Sequence, residues 1–330
     1  MTYLLRVILA AIALGVAGFP TLAQYAPNGI QRTPDDVGPR EDGSGAFRTH
    51  CVESHDSHND PLVWPGRPGA THRHVFFGNP NVDHETTIET LVRATTTTCD
   101  GGRLNRSAYW VPALYDQQGE RIRYIDPLFY YKTGYHVLAA SIRPPPQGLR
   151  MIAGNAHATR PQGVHVAKFR CSGWRSNQVW FDQTDPLDHV NYLPDCDVGD
   201  QLEIRIVFPQ CWDGIHLSAP DNQSHMAYPR PATPPHVGTG ACPRSHPIAI
   251  PEISYNFSIY VSEHLGASSA WRFSSDMGEA IPGSSIHADW MNGWDPDIME
   301  KVVLNCLNTG FDCVVGLLGD GTRLRPVELD

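Results

Sequence analysis

Long apolar runs are scarce in this chain of 330 residues. Past residue 23 no segment reaches the roughly 20 apolar residues that a membrane-crossing helix needs, so no transmembrane segment is expected in the mature chain. Positive charge is scarce as well. Lys and Arg number 25 against 35 Asp and Glu, for a formal charge of −10 at pH 7. A polyanion such as nucleic acid is therefore not expected to bind by bulk charge. No C-x-x-C pair occurs, which argues against zinc-ribbon and thioredoxin-type sites. The G-x-S-x-G elbow of α/β-hydrolases and the H-E-x-x-H helix of zincins are missing too. There is no internal repeat and no low-complexity tract, and no nucleotide cofactor is expected.

The one apolar run lies at the start. Arg6 precedes VILAAIALGVAGF at 7–19, and TLA ends at Ala23. A charged residue, a short apolar stretch and small residues at a cut site read as a signal peptide over 1–23. The eight cysteines (Cys51, Cys99, Cys171, Cys196, Cys211, Cys242, Cys306 and Cys313) fit that reading. An exported chain meets an oxidising compartment, so disulfides are expected, with sequential pairing as the working map. The expected location is secreted, or periplasmic in a Gram-negative source.

With 29 Gly and 28 Pro, long helices are improbable. Residues 24–48 are polar and aperiodic, and read as a flexible or loosely docked arm. From residue 49 to 330 the pattern is of short strands between turns, long enough in total to bury a sizeable core. AYWVPALY (108–115) and RIRYIDPLFYY (121–131) flank DQQGE as a hairpin-like pair. QLEIRIVF (201–208) and EISYNFSIYV (252–261) alternate apolar and polar residues, as half-buried strands do. GVHVAKFRC (163–171) alternates too, and SAWRFSSD (269–276) does so weakly. One helix is expected near the C-terminus, with Asp295 as cap, Pro296 at the first position and Ile298, Met299, Val302, Val303 and Cys306 as its apolar stripe. The proline-rich region 217–251 reads as a long loop system pinned by Cys211 and Cys242. The fold expected is all-β: a single disulfide-stapled β-sandwich, jelly-roll-like, with long loops and one short C-terminal helix.

Histidine is abundant, at 16 residues, and clustered. THRHVFFGN (71–79) places His72 and His74 two apart, on one face of an extended strand. Imidazole is the commonest protein metal ligand, and His-x-His on a strand presents two. A third ligand must come from another segment. Asp60, His225, His246 or His287 would serve, with His72, His74 and His246 as the working set for a divalent metal. The bland alternative is that these rings bond backbone carbonyls and fix loops. Acid–base chemistry is a further reading, with His74, Asp213, His225, His287 and Asp289 as candidate catalytic groups. Against this, Asp213 before Gly214 also reads as a turn residue.

Aromatic residues beside polar ones form the last feature. Tyr109, Trp212, Trp290 and Trp294, with Asp60, read as a groove whose rings stack on sugars while a carboxylate binds hydroxyls. For Trp110, within an apolar strand, core packing is the better reading.

DPLVWPG, THRHVFFGN, TTCDGG, SAYWVPALY, GLRMIAG, FPQCWDG, SHMAYP, CPRSHPIAIP and HADWMNGWD occur in this order. Together, over roughly residues 50–300, they resemble the DUF1996 family of exported bacterial and fungal proteins. Some fungal members carry WSC modules associated with carbohydrate or wall contact, so the resemblance implies an extracellular, wall-related setting. No WSC module occurs here, and the resemblance implies no reaction. Fungal members tend to carry a second cysteine near TTCDGG, so its absence implies that Cys99 pairs elsewhere, with Cys51. His72, His74, Trp212, Asp213, His225, His246, His287 and Asp289 fall on family-like motifs, and no roles come with them. The functional expectation is a protein that binds or cleaves a cell-wall or extracellular polysaccharide. A histidine-based metal protein and a non-catalytic envelope protein are the alternatives. Convergence of three imidazole nitrogens on one point would favour metal, an open groove would favour glycan, and dispersal would favour a purely structural role.

Overall fold

The computed structural model describes residues 29–173, 189–230 and 240–327. The signal-peptide reading of 1–23 lies outside the described residues. The chain is all-β, with several sheets, four disulfides and a short C-terminal helix.

Alternating burial builds the larger sheet. In Gln201–Val207 every second residue is buried, as the sequence pattern requires. This strand lies between Ala167–Ser172 and Glu252–Tyr260. Ile125–Lys132, Ala46–His50 and Asp312–Val315 complete a six-stranded sheet, whose last pair is parallel. A second sheet has five strands, in the order Glu53–Ser57, His74–Gly78, Ala108–Pro112, His287–Met291 and Arg150–Gly154. All its pairings are antiparallel.

The two sheets share one hydrophobic core. Tyr109 of the five-stranded sheet lies 4.3 Å from Phe129 of the six-stranded sheet, centroid to centroid, and Phe77 lies 5.5 Å from Phe257. Burying such rings contributes about 1.5–3 kcal/mol each. The expected hairpin is present where Leu114–Tyr115 pairs with Arg121–Ile122. Its arms then diverge: Ala108–Pro112 runs in one sheet and Ile125–Lys132 in the other. Pairing thus stops after two residues, and the hairpin becomes the corner between sheets.

All four disulfides follow the sequential map: Cys51–Cys99, Cys171–Cys196, Cys211–Cys242 and Cys306–Cys313. The C-terminal helix Pro296–Val302 starts as expected, with the Asp295 carboxylate accepting from the amides of Asp297 and Ile298. It continues as a wider turn over Val303–Leu307, and Gly310 follows at φ +75°.

Two expectations are corrected. The reading of 24–48 as a loosely docked arm fails for its described part. Ile30–Arg32 pairs with Thr322–Leu324, and Ala46–His50 is an inner strand with Phe47 fully buried. The local polarity reflects turns between these strands, whose partners are remote in sequence. A second helix, Ile88–Val92, also forms, capped reciprocally by Thr87 and Thr90. Its five residues are too short to leave a periodic signature.

Candidate metal centre

The outer face of the five-stranded sheet carries the site. In register, His74 faces Pro112 on the neighbouring strand. Asp289 faces Trp110 one strand further on, so continuing that register places His287 opposite Pro112 from the other side. Residues in one row across a sheet point the same way. His74 and His287 therefore flank a short pyrrolidine ring and reach over it toward each other. His72 precedes the strand and joins them.

The three imidazoles meet through Nε2. His72 Nε2 lies 3.1 Å from His287 Nε2, and His74 Nε2 lies 3.2 Å from the same atom. Candidate ligand atoms of all three lie within 4.8 Å of one another. His74 and His287 are buried, and His72 is half-buried. Two exposed histidines, His58 and His157, act electrostatically on the His72 ring.

Burial keeps these rings neutral. It pushes His72 down to about 3, helped by His287, His157 and His58. It pushes His287 down to about 4 and His74 well below the usual range. One tautomer is selected at His287: Nδ1–H donates to the Ser285 carbonyl at 2.9 Å, which leaves the Nε2 lone pair facing the other two rings. Ser285 is itself held by Asp276, which accepts from its amide and its hydroxyl. This support was missed in the sequence, where only the serines just before His287 hint at it.

Asp289 lies beside the histidines, with Oδ2 3.7 Å from His287 Nε2. It is 1% exposed, and neither carboxylate oxygen has a hydrogen-bond partner. Burial, with the nearby charge of Asp60, raises its pKa well above the carboxylate range. Asp60 is buried too, and its Oδ1 accepts from the amides of Leu62 and Val63. Asp60 thus shapes a turn and adds negative potential, and exposes no face to a sugar.

The other candidates do not join this cluster. His246, the expected third ligand, bonds the Ser224 carbonyl at 2.9 Å and the Ser245 hydroxyl. His287 takes its place among the three. His225 donates from Nε2 to the Arg150 carbonyl at 2.6 Å and accepts the Ala219 amide on Nδ1, so it fixes a loop. Asp213 accepts the amides of Ile215 and His216 on Oδ1, as a turn residue does. Trp212 is half-buried and donates to the His216 carbonyl.

The aromatic groove is corrected as well. Tyr109, Trp290 and Trp294 are at most 1% exposed, so none offers a face to a ligand. Trp294 Nε1 donates to Tyr131 Oη at 2.8 Å, and Tyr131 meets Tyr109 hydroxyl to hydroxyl at 2.9 Å. The polar sequence around Trp290 and Trp294 reflects the loop, while the rings enter the core.

The fold and this cluster define an all-β, disulfide-bonded protein with a three-histidine centre. The family model described as "Domain of unknown function (DUF1996)" matches residues 60–294, and the chain belongs to that family. The matched span contains His72, His74, His287, Asp60 and Asp289. Comparison with curated proteins and with solved structures gives no match.

Gly154 faces His287 from the edge strand at φ +86°, where an added Cβ would lie 2.6 Å from the Ile286 carbonyl oxygen. Gly154→Ala is expected to cost ~1–2 kcal/mol in backbone strain alone and to displace His287. Urea unfolding measures the first effect, and the chemical shifts of the His287 ring measure the second. An unchanged His287 environment would argue against this coupling.

Proposed function

We propose that the protein binds a divalent first-row transition metal through Nε2 of His72, His74 and His287. The meeting of three imidazole nitrogens around one small volume carries this reading. Two nitrogens bound to a common ion at about 2.0–2.1 Å stand roughly 3.0–3.4 Å apart. The separations of 3.1 and 3.2 Å fall in that range.

Hydrogen bonding alone accounts poorly for the arrangement. His287 Nε2 has a single lone pair, yet two rings approach it at hydrogen-bond distance. An ion gives all three Nε2 lone pairs a partner at once. It also answers the unpartnered Asp289 carboxylate, since a buried carboxylate needs a cation or a donor. The nitrogen ligands suit zinc, copper or nickel and do not suit calcium or magnesium. Three protein ligands leave a coordination position for water or substrate, as in catalytic rather than structural zinc sites. The half-buried His72 side is where such a position meets solvent. Four disulfides fit an extracellular or periplasmic setting for this centre.

Titration of metal-free protein with Zn²⁺, Cu²⁺, Ni²⁺ and Mg²⁺ tests the proposal. One equivalent of a transition metal is expected to bind, and Mg²⁺ is not. Failure of all three transition metals to bind at micromolar concentration overturns it. Asp289→Asn keeps the shape of the side chain and removes its charge. It is expected to weaken metal binding about ten-fold, in the range seen for groups that support metal ligands. An affinity unchanged by Asp289→Asn would remove the carboxylate from the centre.

A further inference from the structure

The six-stranded sheet carries a groove on its outer face. Among the described residues, a groove of about 410 Å³ is lined by Lys168, Arg170, Arg205, Tyr130 and Tyr260, with Asp126 and Glu203 as the carboxylates on its wall. That volume lies within the 300–1,000 Å³ typical of pockets for organic ligands, too large for one inorganic anion.

Its charges are arranged against the fold's own stability. Lys168 and Arg205 lie directly opposite each other on neighbouring strands. Like charges in that position are destabilising. One row away, Arg170 faces Glu203 and pairs with it at 2.7 Å, so complementary charge was available to this sheet. Among the described residues neither Lys168 nor Arg205 has a carboxylate in ion-pair contact, and Arg205 Nε bonds only the Asn256 amide oxygen at 2.7 Å. Lys132 and His189 border the same field. His189 is driven down to about 4 by burial and then by Lys168, Arg205 and Arg170. Lys132 is driven down to about 7 by burial and then by Arg205, with Glu252 opposing. In a chain of net charge −10, this concentration of cations calls for an anion.

The remaining lining names the class of anion. Tyr260 is 55% exposed at the groove, while the Tyr130 ring is already met by Arg48 and Lys132, each 4.8 Å from its centroid. An exposed ring face such as that of Tyr260 packs on a sugar ring. Ser258 and Gln201 offer a hydroxyl and an amide for hydroxyl recognition. We propose that this groove binds an acidic saccharide, its acidic groups held between Lys168 and Arg205 and a sugar ring against Tyr260. The site is on a different sheet from the histidine cluster and does not depend on metal binding.

Calorimetric titration of the whole protein with tetragalacturonate, a neutral galactose tetramer, a sulfated galactose tetramer and polyphosphate tests it. Tetragalacturonate is expected to bind, more weakly as salt rises, and the neutral tetramer is not. Binding of the sulfated tetramer alone would keep the acidic-saccharide class and name ester sulfate as the anion. No saccharide binding, equal binding of the neutral tetramer, or equal binding of polyphosphate overturns the proposal. Lys168→Gln with Arg205→Gln is expected to weaken saccharide binding about ten-fold or more and to melt no lower than wild type, since a repulsive pair is removed. Should that pair melt lower, Tyr260→Ala at the exposed rim provides the same affinity test. Undiminished binding in both variants overturns the groove, while His72→Ala is expected to leave saccharide binding unchanged.

Discussion

Adding a transition metal is expected to raise the unfolding temperature of the wild-type protein and to leave His74→Gln and His287→Gln unmoved. A ligand that binds only the folded state stabilises it by RT ln(1 + [L]/Kd), about 2.7 kcal/mol when free metal is 100 times Kd. For a chain of this size that amounts to several degrees. His74 and His287 project from strands two apart in one sheet, and loss of either leaves two ligands. Binding in those variants is therefore expected to fall at least 100-fold. His72 lies outside the strand and is half-buried, so His72→Ala is expected to weaken binding with less cost to the fold. Glutamine keeps a polar side chain of similar reach, which separates loss of a ligand from collapse of the site. A His287→Gln protein that still gained several degrees on adding metal would sink the three-histidine assignment.

Acid is expected to destabilise the metal-free protein well before its surface carboxylates titrate. The pKa of His287 is lowered to about 4 in the fold by burial, against about 6.5 for a free imidazole. Between these values the unfolded chain takes up a proton that the folded chain refuses, so stability falls as pH falls from about 6.5 toward 4. From pH 7 to 4.5 this group alone loses on the order of 2–3 kcal/mol. His74, also lowered well below the usual range by burial, acts in the same direction. Asp289 and Asp60 act in the opposite one, because their raised pKa values let the folded state hold protons the unfolded state has lost. The histidine contribution is isolated by comparison. Urea midpoints measured in chelator from pH 7 to 4.5 are expected to fall less in His287→Gln than in wild type. Parallel pH profiles for the two proteins would mean that the imidazole is not held neutral.

Much of the fold was legible because its signals are local. Alternation in 201–207 and 252–260 reports a surface half in the core, whatever the neighbouring strand. The Asp295–Pro296 helix start is equally local. The inner strand Ala46–His50 was hidden because its burial comes from Ile125–Lys132, far along the chain.

The site divides along the same line. His72 and His74 were candidates from their spacing alone, since two residues apart on extended chain means one side. Their third partner was not readable that way. His287 and His246 both stand in histidine-bearing loop-like motifs, and only strand order separates them. His287–Met291 is hydrogen-bonded to Ala108–Pro112, which is hydrogen-bonded to His74–Gly78, and this brings together rings 213 residues apart. His246 lies beyond Cys242, in a loop tied to Cys211, and bonds the Ser224 carbonyl. The aromatic residues teach the converse. Trp290 and Trp294 have polar neighbours in sequence, but alternation along the strand and the turn after it send both rings into the core. Residue type, spacing and periodicity determined which groups were able to act and which segments became strands. Which groups meet was decided by the pairing of distant strands, because convergence in space depends on long-range order that no local pattern encodes.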